Sequence, residues 1–178
     1  MMKPTIVKSE PIILLGFGFF GDPFALSGVW TEENEIGRLW ARFMSYLGKN
    51  GARIKHTKSH AHYEVHIGHE ETSSRGHYEI FVGVQVEKLE DVPIELLVKI
   101  IPATRYAVFT LQGEQIVSDW NMLVQSEWLP GTGYQAVPGY GFLVYDQRFK
   151  GLDKLSESQV DAFVPVTRVD DVSSNSHQ

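Results

Sequence analysis

The apolar positions of this chain change their period several times, and each change marks an expected element. Ile12 to Phe19 is an unbroken apolar run between Pro11 and Gly21, which predicts a buried strand. The dipeptides and tripeptides GDP and SG then mark a loop over 21–28. A helical period follows at Ile36, Leu39, Trp40, Phe43 and Leu47, so one helix face is built for burial. Thr31 is the expected N-cap, with Glu32, Glu33 and Glu35 set against the positive end of the helix dipole. Gly48 to Gly51 closes this helix. His62 to Gly68 and His77 to Val86 read as strands joined by the polar stretch HEETSSRG. The second of them is apolar on both faces in places and is expected inside a sheet.

The pattern then repeats. Leu96 to Ile101 and Tyr106 to Leu111 are extended, with Pro102 breaking between them. A second helix is expected from about Glu114 to Trp128, stopped before Pro130. Phe142 to Asp146 and Asp161 to Thr167 follow as strands joined by a polar connection. Glu79–Val84 resembles Asp161–Val166, and Trp40 and Trp120 hold similar places on their helices, both at a spacing of about 80 residues. A spacing this long means duplication of a supersecondary unit. The predicted fold is α+β: two strand–helix–strand–strand modules, about 4–93 and 94–168, related by a pseudo-twofold axis. They share an antiparallel sheet with the helices on one face, in a single domain over 1–170. The cleft between two such modules is a natural ligand site. Residues 171–178 are polar and aperiodic and are expected to form a disordered tail.

Composition narrows the function classes. With 178 residues, 43% of them hydrophobic, the chain can bury a sizeable core. The net charge is −6 and no Lys/Arg cluster offsets it, which argues against direct nucleic-acid binding. The absence of cysteine excludes disulfides, thiolate catalysis and sulfur-ligated metal, and fits a cytoplasmic location. The apolar run at Ile12 to Phe20 is too short to span a bilayer, and Lys8 and Glu10 before it do not make a signal peptide.

Candidate chemistry is sparse. The aromatic share of 12% supplies a set comprising Trp40, Phe43, Tyr63, Phe81, Trp120 and Tyr145, which either lines a pocket for flat or cationic ligands or fills a core. Glu79 lies mid-strand with Phe81 and Gly83 on its face. It would recognise a cationic ligand or act as a general acid or base, unless it is simply paired across strands at the surface. His60, His62, Glu64 and His66 share one parity on their strand. Steps of roughly 6.5–7 Å along a strand suit poorly an ion held about 2.1 Å from each ligand, and a polar solvent face explains the alternation as well. No metal ion or cofactor is expected. Gly131 and Gly133 after Pro130 are turn chemistry, and Gly16-Phe17-Gly18 is no dinucleotide fingerprint.

Six motifs in order carry a resemblance: ENEIGRLWARF (33–43), YEIFVGVQVEKLEDVP (78–93), IPATRYAVFTLQG (101–113), WLPGTGY (128–134), YDQRF (145–149) and AFVPV (162–166). From about Pro4 to Arg168 the chain resembles the GyrI-like effector-binding family, also called the AraC-type bacterial transcription-activator effector-binding domain. The resemblance implies an aromatic-lined pocket between the modules that takes amphipathic small molecules, with a buried carboxylate that recognises cations. The family pattern before YDxRF reads Phe-Glu-x-Tyr-Asp, whereas here it is Phe142-Leu143-Val144-Tyr145-Asp146. Leu143 therefore replaces the acid, and a weaker preference for cations is expected.

The leading expectation is a stand-alone effector-binding domain for an amphipathic or aromatic small molecule, acting in transcription regulation or ligand sequestration. Its expected site is Trp40, Phe43, Tyr63, Glu79, Phe81, Trp120, Leu143 and Tyr145, and a regulator or other protein is a further partner. Two alternatives come with the resemblance. One is a hydrolase of strained, cyclopropane-type electrophiles using Glu79 with Tyr145 or Tyr63. The other is a protein-binding inhibitor of the gyrase-inhibitor kind.

Overall fold

In a computed structural model, which describes residues 2–25 and 33–170, nine strands form an antiparallel sheet. They are β1 (Thr5–Ser9), β2 (Ile12–Gly21), β3 (Thr57–Gly68), β4 (Tyr78–Val86), β5 (Leu97–Ile101), β6 (Thr104–Gln112), β7 (Tyr134–Ala136), β8 (Tyr140–Tyr145) and β9 (Gln159–Arg168). Their order is β1-β6-β9-β8-β3-β4-β2-β5, with β7 beside β9. This order is a palindrome about the β3·β8 pair. Outward from it lie β4 and β9, then β2 and β6, then β5 and β1. The duplicated modules therefore meet at β3 and β8, on the pseudo-twofold axis.

The outermost strands are exchanged. β1 leads into β2 yet pairs with β6, and β5 leads into β6 yet pairs with β2. Only Glu10 and Pro11 separate β1 from β2, a connection that reaches about 11 Å at most. Strands at opposite ends of the order are thus held close, and the sheet curls into a half-barrel. Ile12, Leu14, Phe81, Tyr106 and Phe142 form the buried cluster inside the curl. The opposite parities, such as Leu15, Phe17 and Val82 in one module and Ala107, Phe109 and Val164 in the other, face the helices. Alternation along each strand thus sends one apolar set to each of two cores.

Helix α1 (Glu35–Asn50) buries Ile36, Leu39 and Phe43 as its spacing predicts. Its N-cap is Asn34, whose side-chain oxygen accepts from the Gly37 N–H at 2.9 Å. The expected cap Thr31 and the neighbouring Glu32 lie outside the described residues, as does the tail over 171–178. Glu35 is the acid in the first turn. A four-residue helix, α2 (Thr72–Arg75), interrupts the β3–β4 connection.

The second helix is not continuous. Gly113–Val117 is a 3₁₀ turn, α3 covers only Trp120–Leu123, and Val124–Trp128 is a wide π turn. The buried positions Ile116, Trp120, Val124 and Trp128 recur every four residues. A regular α-helix turns about 100° per residue, so each step of four overshoots by about 40°. The break at Ser118-Asp119 and the wide last turn keep all four side chains on the core. Asp119 restarts the helix by accepting from the Met122 N–H at 3.0 Å. Strands β1 and β7 and the 3₁₀ segment Leu152–Glu157 had no clear periodic signal. Arg148 of the YDQRF motif bridges Asp146 and Asp161 at 2.8 and 2.5 Å and fixes the chain as it leaves β8. Among the described residues no helix is long and apolar enough to cross a membrane.

Gly16 and Gly83 face each other across β2 and β4. A Cβ on Gly16 would stand 1.9 Å from the Val82 carbonyl oxygen, and one on Gly83 would stand 2.6 Å from that of Leu15. Gly16→Ala is therefore expected to destabilise the fold by about 2–3 kcal/mol, as overpacking against backbone does. Urea denaturation of the variant checks this, and an unchanged midpoint would refute the close approach.

Candidate functional site

The sheet face covered by the helices carries one buried acid, Glu64, at the middle of β3. It is 1% exposed and pairs directly with Leu143 of β8. Its position follows from alternation: Tyr63, Val65 and Ile67 turn into the curl, so His62, Glu64 and His66 turn toward the helices. A carboxylate removed from water needs hydrogen-bond donors to remain tolerable. The Trp40 indole of α1 donates Nε1–H to Oε2 at 2.5 Å. The Tyr145 hydroxyl donates to the same oxygen at 3.5 Å. On the other side, His66 Nε2 meets Oε1 at 2.6 Å. Burial, with Glu64 beside it, pushes the Tyr145 hydroxyl well above its ordinary range, so it keeps its proton to donate.

The pseudo-twofold axis passes through this point. In the β3·β8 register it exchanges Glu64 with Leu143, His62 with Gly141, and His66 with Tyr145. The tryptophans obey the same exchange. The Trp40 ring packs on His62 and Tyr145, with centroids 6.1 and 5.0 Å away. Trp120 packs on His66 at 5.8 Å, and its ring edge lies 3.1 Å from where a Gly141 Cβ would stand.

Occupancy breaks the symmetry. On the Trp40 side, Tyr145 is buried and wedged against Phe149 at 5.0 Å, which fills the space. On the Trp120 side, the matching positions hold the smaller His66 and the side-chain-free Gly141. A cavity of about 570 Å³ opens there, between the first turn of α1 and the broken segment carrying α3. Glu64, His66 and Leu143 lie along its strand side. Ile36, Ile80 and Trp120 form apolar walls, while Ser118, Asn121 and Gln125 bring polar groups to its rim.

Of the residues expected at the site, Trp40, Trp120, Leu143 and Tyr145 converge here. Trp120 and Leu143 line the cavity, while Trp40 and Tyr145 stand behind Glu64. Phe43 belongs to the core beneath α1. Tyr63 and Phe81 belong to the cluster inside the curl, and Tyr63 donates to Gln85 at 2.9 Å. Glu79 shares the parity of Phe81, so it too lies on the face away from the helices. There it is bound by Lys99 and, at 3.2 Å, by His69. The surface-paired reading of Glu79 is the one that its contacts match.

Glu64 escaped the sequence reading because its strand parity, His-x-Glu-x-His, looks like a solvent face. The strand itself carried no signal against that reading, because apolar Tyr63, Val65 and Ile67 at the alternate parity complete the pattern of a half-buried strand. His62 packs against Trp40 and Phe43, and burial together with His60 pushes its imidazole pKa down.

A family model described as integron-associated effector binding protein matches residues 5–166. The chain belongs to this family. Among curated relatives, the transcriptional regulator BrlR of Pseudomonas aeruginosa is 30% identical over 168 residues, which cover 93% of this chain and 56% of BrlR. The chain thus spans little more than half the length of that relative. The fold recurs in the structure of SAV2435 bound to tetraphenylphosphonium, with a TM-score of 0.63 at 15% identity, covering 93% of this chain and 94% of that one. It recurs also in EcmrR within an EcmrR–DNA complex, with a TM-score of 0.63 at 12% identity, covering 93% and 57%. By family the chain is an effector-binding protein, and a curated relative is a transcriptional regulator.

Glu79 carries a pH-dependent part of the stability of this family member. Burial would raise its carboxyl pKa, but hydrogen bonds from Lys99 and His69 outweigh burial and hold it below the ordinary range. A depressed folded pKa gives stability that is present above the unfolded value, about 4.3, and is lost as pH falls through the folded one. Glu79→Gln should therefore be less stable than the parent above about pH 5 and equal to it near pH 2. Urea melts at both ends of that range decide the point.

Proposed function

We propose that the protein binds an amphipathic aromatic cation in the cavity beside Trp120, with Glu64 as the countercharge, and serves as a sensing or sequestering module in transcription regulation. The observation that carries this reading is a 1% exposed carboxylate at a cavity of about 570 Å³ with apolar and aromatic walls. A volume of this size suits a drug-sized molecule. A flat or bulky cation gains aromatic contact from Trp120 and a charge partner that is poorly screened from it.

Leu143 takes on a different meaning. The acid that the family resemblance puts at position 143 is absent, yet Glu64 is the residue directly opposite on the paired strand and its equivalent across the axis. The carboxylate has changed strands and stays at the centre of the cleft. On this reading the preference for cations is retained, and Leu143 supplies apolar floor. The tetraphenylphosphonium complex of SAV2435 supports the choice of ligand class, since it pairs this fold with a bulky aromatic cation.

Tryptophan-fluorescence titration with tetraphenylphosphonium tests the proposal. Removing one partner of a buried charge contact costs about 2–5 kcal/mol. Glu64→Gln is accordingly expected to weaken binding by about 30-fold or more at neutral pH, with Glu79→Gln unchanged. Equal affinity in the parent and Glu64→Gln would sink the reading.

A further inference from the structure

Glu64 has two oxygens with different company. Oε2 faces Trp40 and Tyr145, two donors that carry no charge and keep their protons. Oε1 has as its partner His66 Nε2 at 2.6 Å, and both residues line the cavity. His66 is half-buried, lines the cavity itself and is steadied by the Trp120 ring at 5.8 Å. A ligand cation approaching Oε1 must therefore share that oxygen with an imidazole.

We propose that His66 sets the charge preference of the cavity: neutral, it leaves the Glu64 charge available to a cation; protonated, it cancels that charge and excludes one. This rests on the ligand class proposed above. An imidazole is the side chain whose ordinary titration lies closest to neutrality, which makes it the natural group for such an exchange. Because a bound cation favours neutral His66, proton and ligand compete, and by linkage each weakens the other equally.

Among the described residues, few other ionisable groups surround the pair. His62 on the same strand faces Trp40 and Phe43 rather than the cavity. From β8 comes Tyr145, from β4 and β8 the cavity tyrosines Tyr78 and Tyr140, and from the helical segment Asp119 at the rim. α1 contributes Trp40 and Ile36, neither of which ionises. Among the described residues, the acid–imidazole contact that lines the cavity is that of Glu64 and His66. Its strand-mate across the axis, Tyr145, could not perform the exchange because it stays neutral. The asymmetry that opens the cavity also puts a titrating group in it.

Two ligands of matched shape and opposite fixed charge, tetraphenylphosphonium and tetraphenylborate, read this directly from pH 5.5 to 8. The parent is expected to lose about tenfold in tetraphenylphosphonium affinity on acidification, a coupling in the range usual between linked sites. Tetraphenylborate binding should strengthen over the same range. In His66→Gln, which keeps a donor but cannot charge, both profiles should be flat. Asp119→Asn, which keeps its helix cap, should behave as the parent. Parallel profiles for the parent and His66→Gln, with Glu64→Gln still weakened at every pH, would overturn the role of His66 and leave the binding site standing. Flattening by Asp119→Asn instead would assign the effect to the rim. No loss in Glu64→Gln at any pH would remove the site itself.

Discussion

A carboxylate with almost no access to water sits where the two halves of the molecule meet, and its demand for donors organises the cleft. Glu64 draws Trp40 from α1, Tyr145 from β8 and His66 from its own strand, so one side chain ties a helix of the first module to a strand of the second. Leaving any of these donors out would strand a buried charge, which proteins tolerate poorly. The same demand explains why the indole nitrogen of Trp40 points inward while its ring packs on Tyr145 and His62. The tryptophan serves as core and as donor at once.

Approximate symmetry is what makes an opening possible. Two identical halves packed around the axis would either fill both arms of the cleft or leave both vacant. Here one arm is plugged by Tyr145 and Phe149, and the other is emptied by Gly141 and the modest size of His66. The helical layer follows suit. α1 is continuous and seals its side, whereas the segment from Gly113 to Trp128 is broken into short turns and leaves room. A duplicated fold has been specialised by changing a few side chains on one half.

Much of this could be read along the chain. The period of Ile36, Leu39 and Phe43 located α1, and the repeat at about 80 residues exposed the duplication. What periodicity does not encode is which of two faces of a strand meets the helices. That depends on how strands are ordered, and the order here pairs elements as far apart as β3 and β8. Glu79 and Glu64 are each a lone acid with an apolar residue on either side in a strand. Their faces, set by registers with β2 and β8 respectively, separate a surface ion pair from the centre of the cleft. The interrupted second helix was illegible for a related reason. A four-residue spacing is compatible with a helix in sequence, and only the requirement that all four side chains reach the same core forces the interruption.

The exchange of the outermost strands bears on how the molecule comes into being. β2 is completed by β5, whose residues follow it by some eighty positions, and β1 must wait for β6 before it has any partner. A nascent first half therefore emerges from a ribosome with an unpaired edge and a leading strand that has nowhere to bind. The strands β2 to β5 can pair among themselves once Ile101 is made, but β1 waits for β6 and the far edge of β3 waits for β8. Long-range pairings of this kind lengthen the search for the native state, and until β8 is made the exposed edge of β3 is open to neighbouring chains. The architecture that holds the halves together in the finished protein makes synthesis its most vulnerable moment.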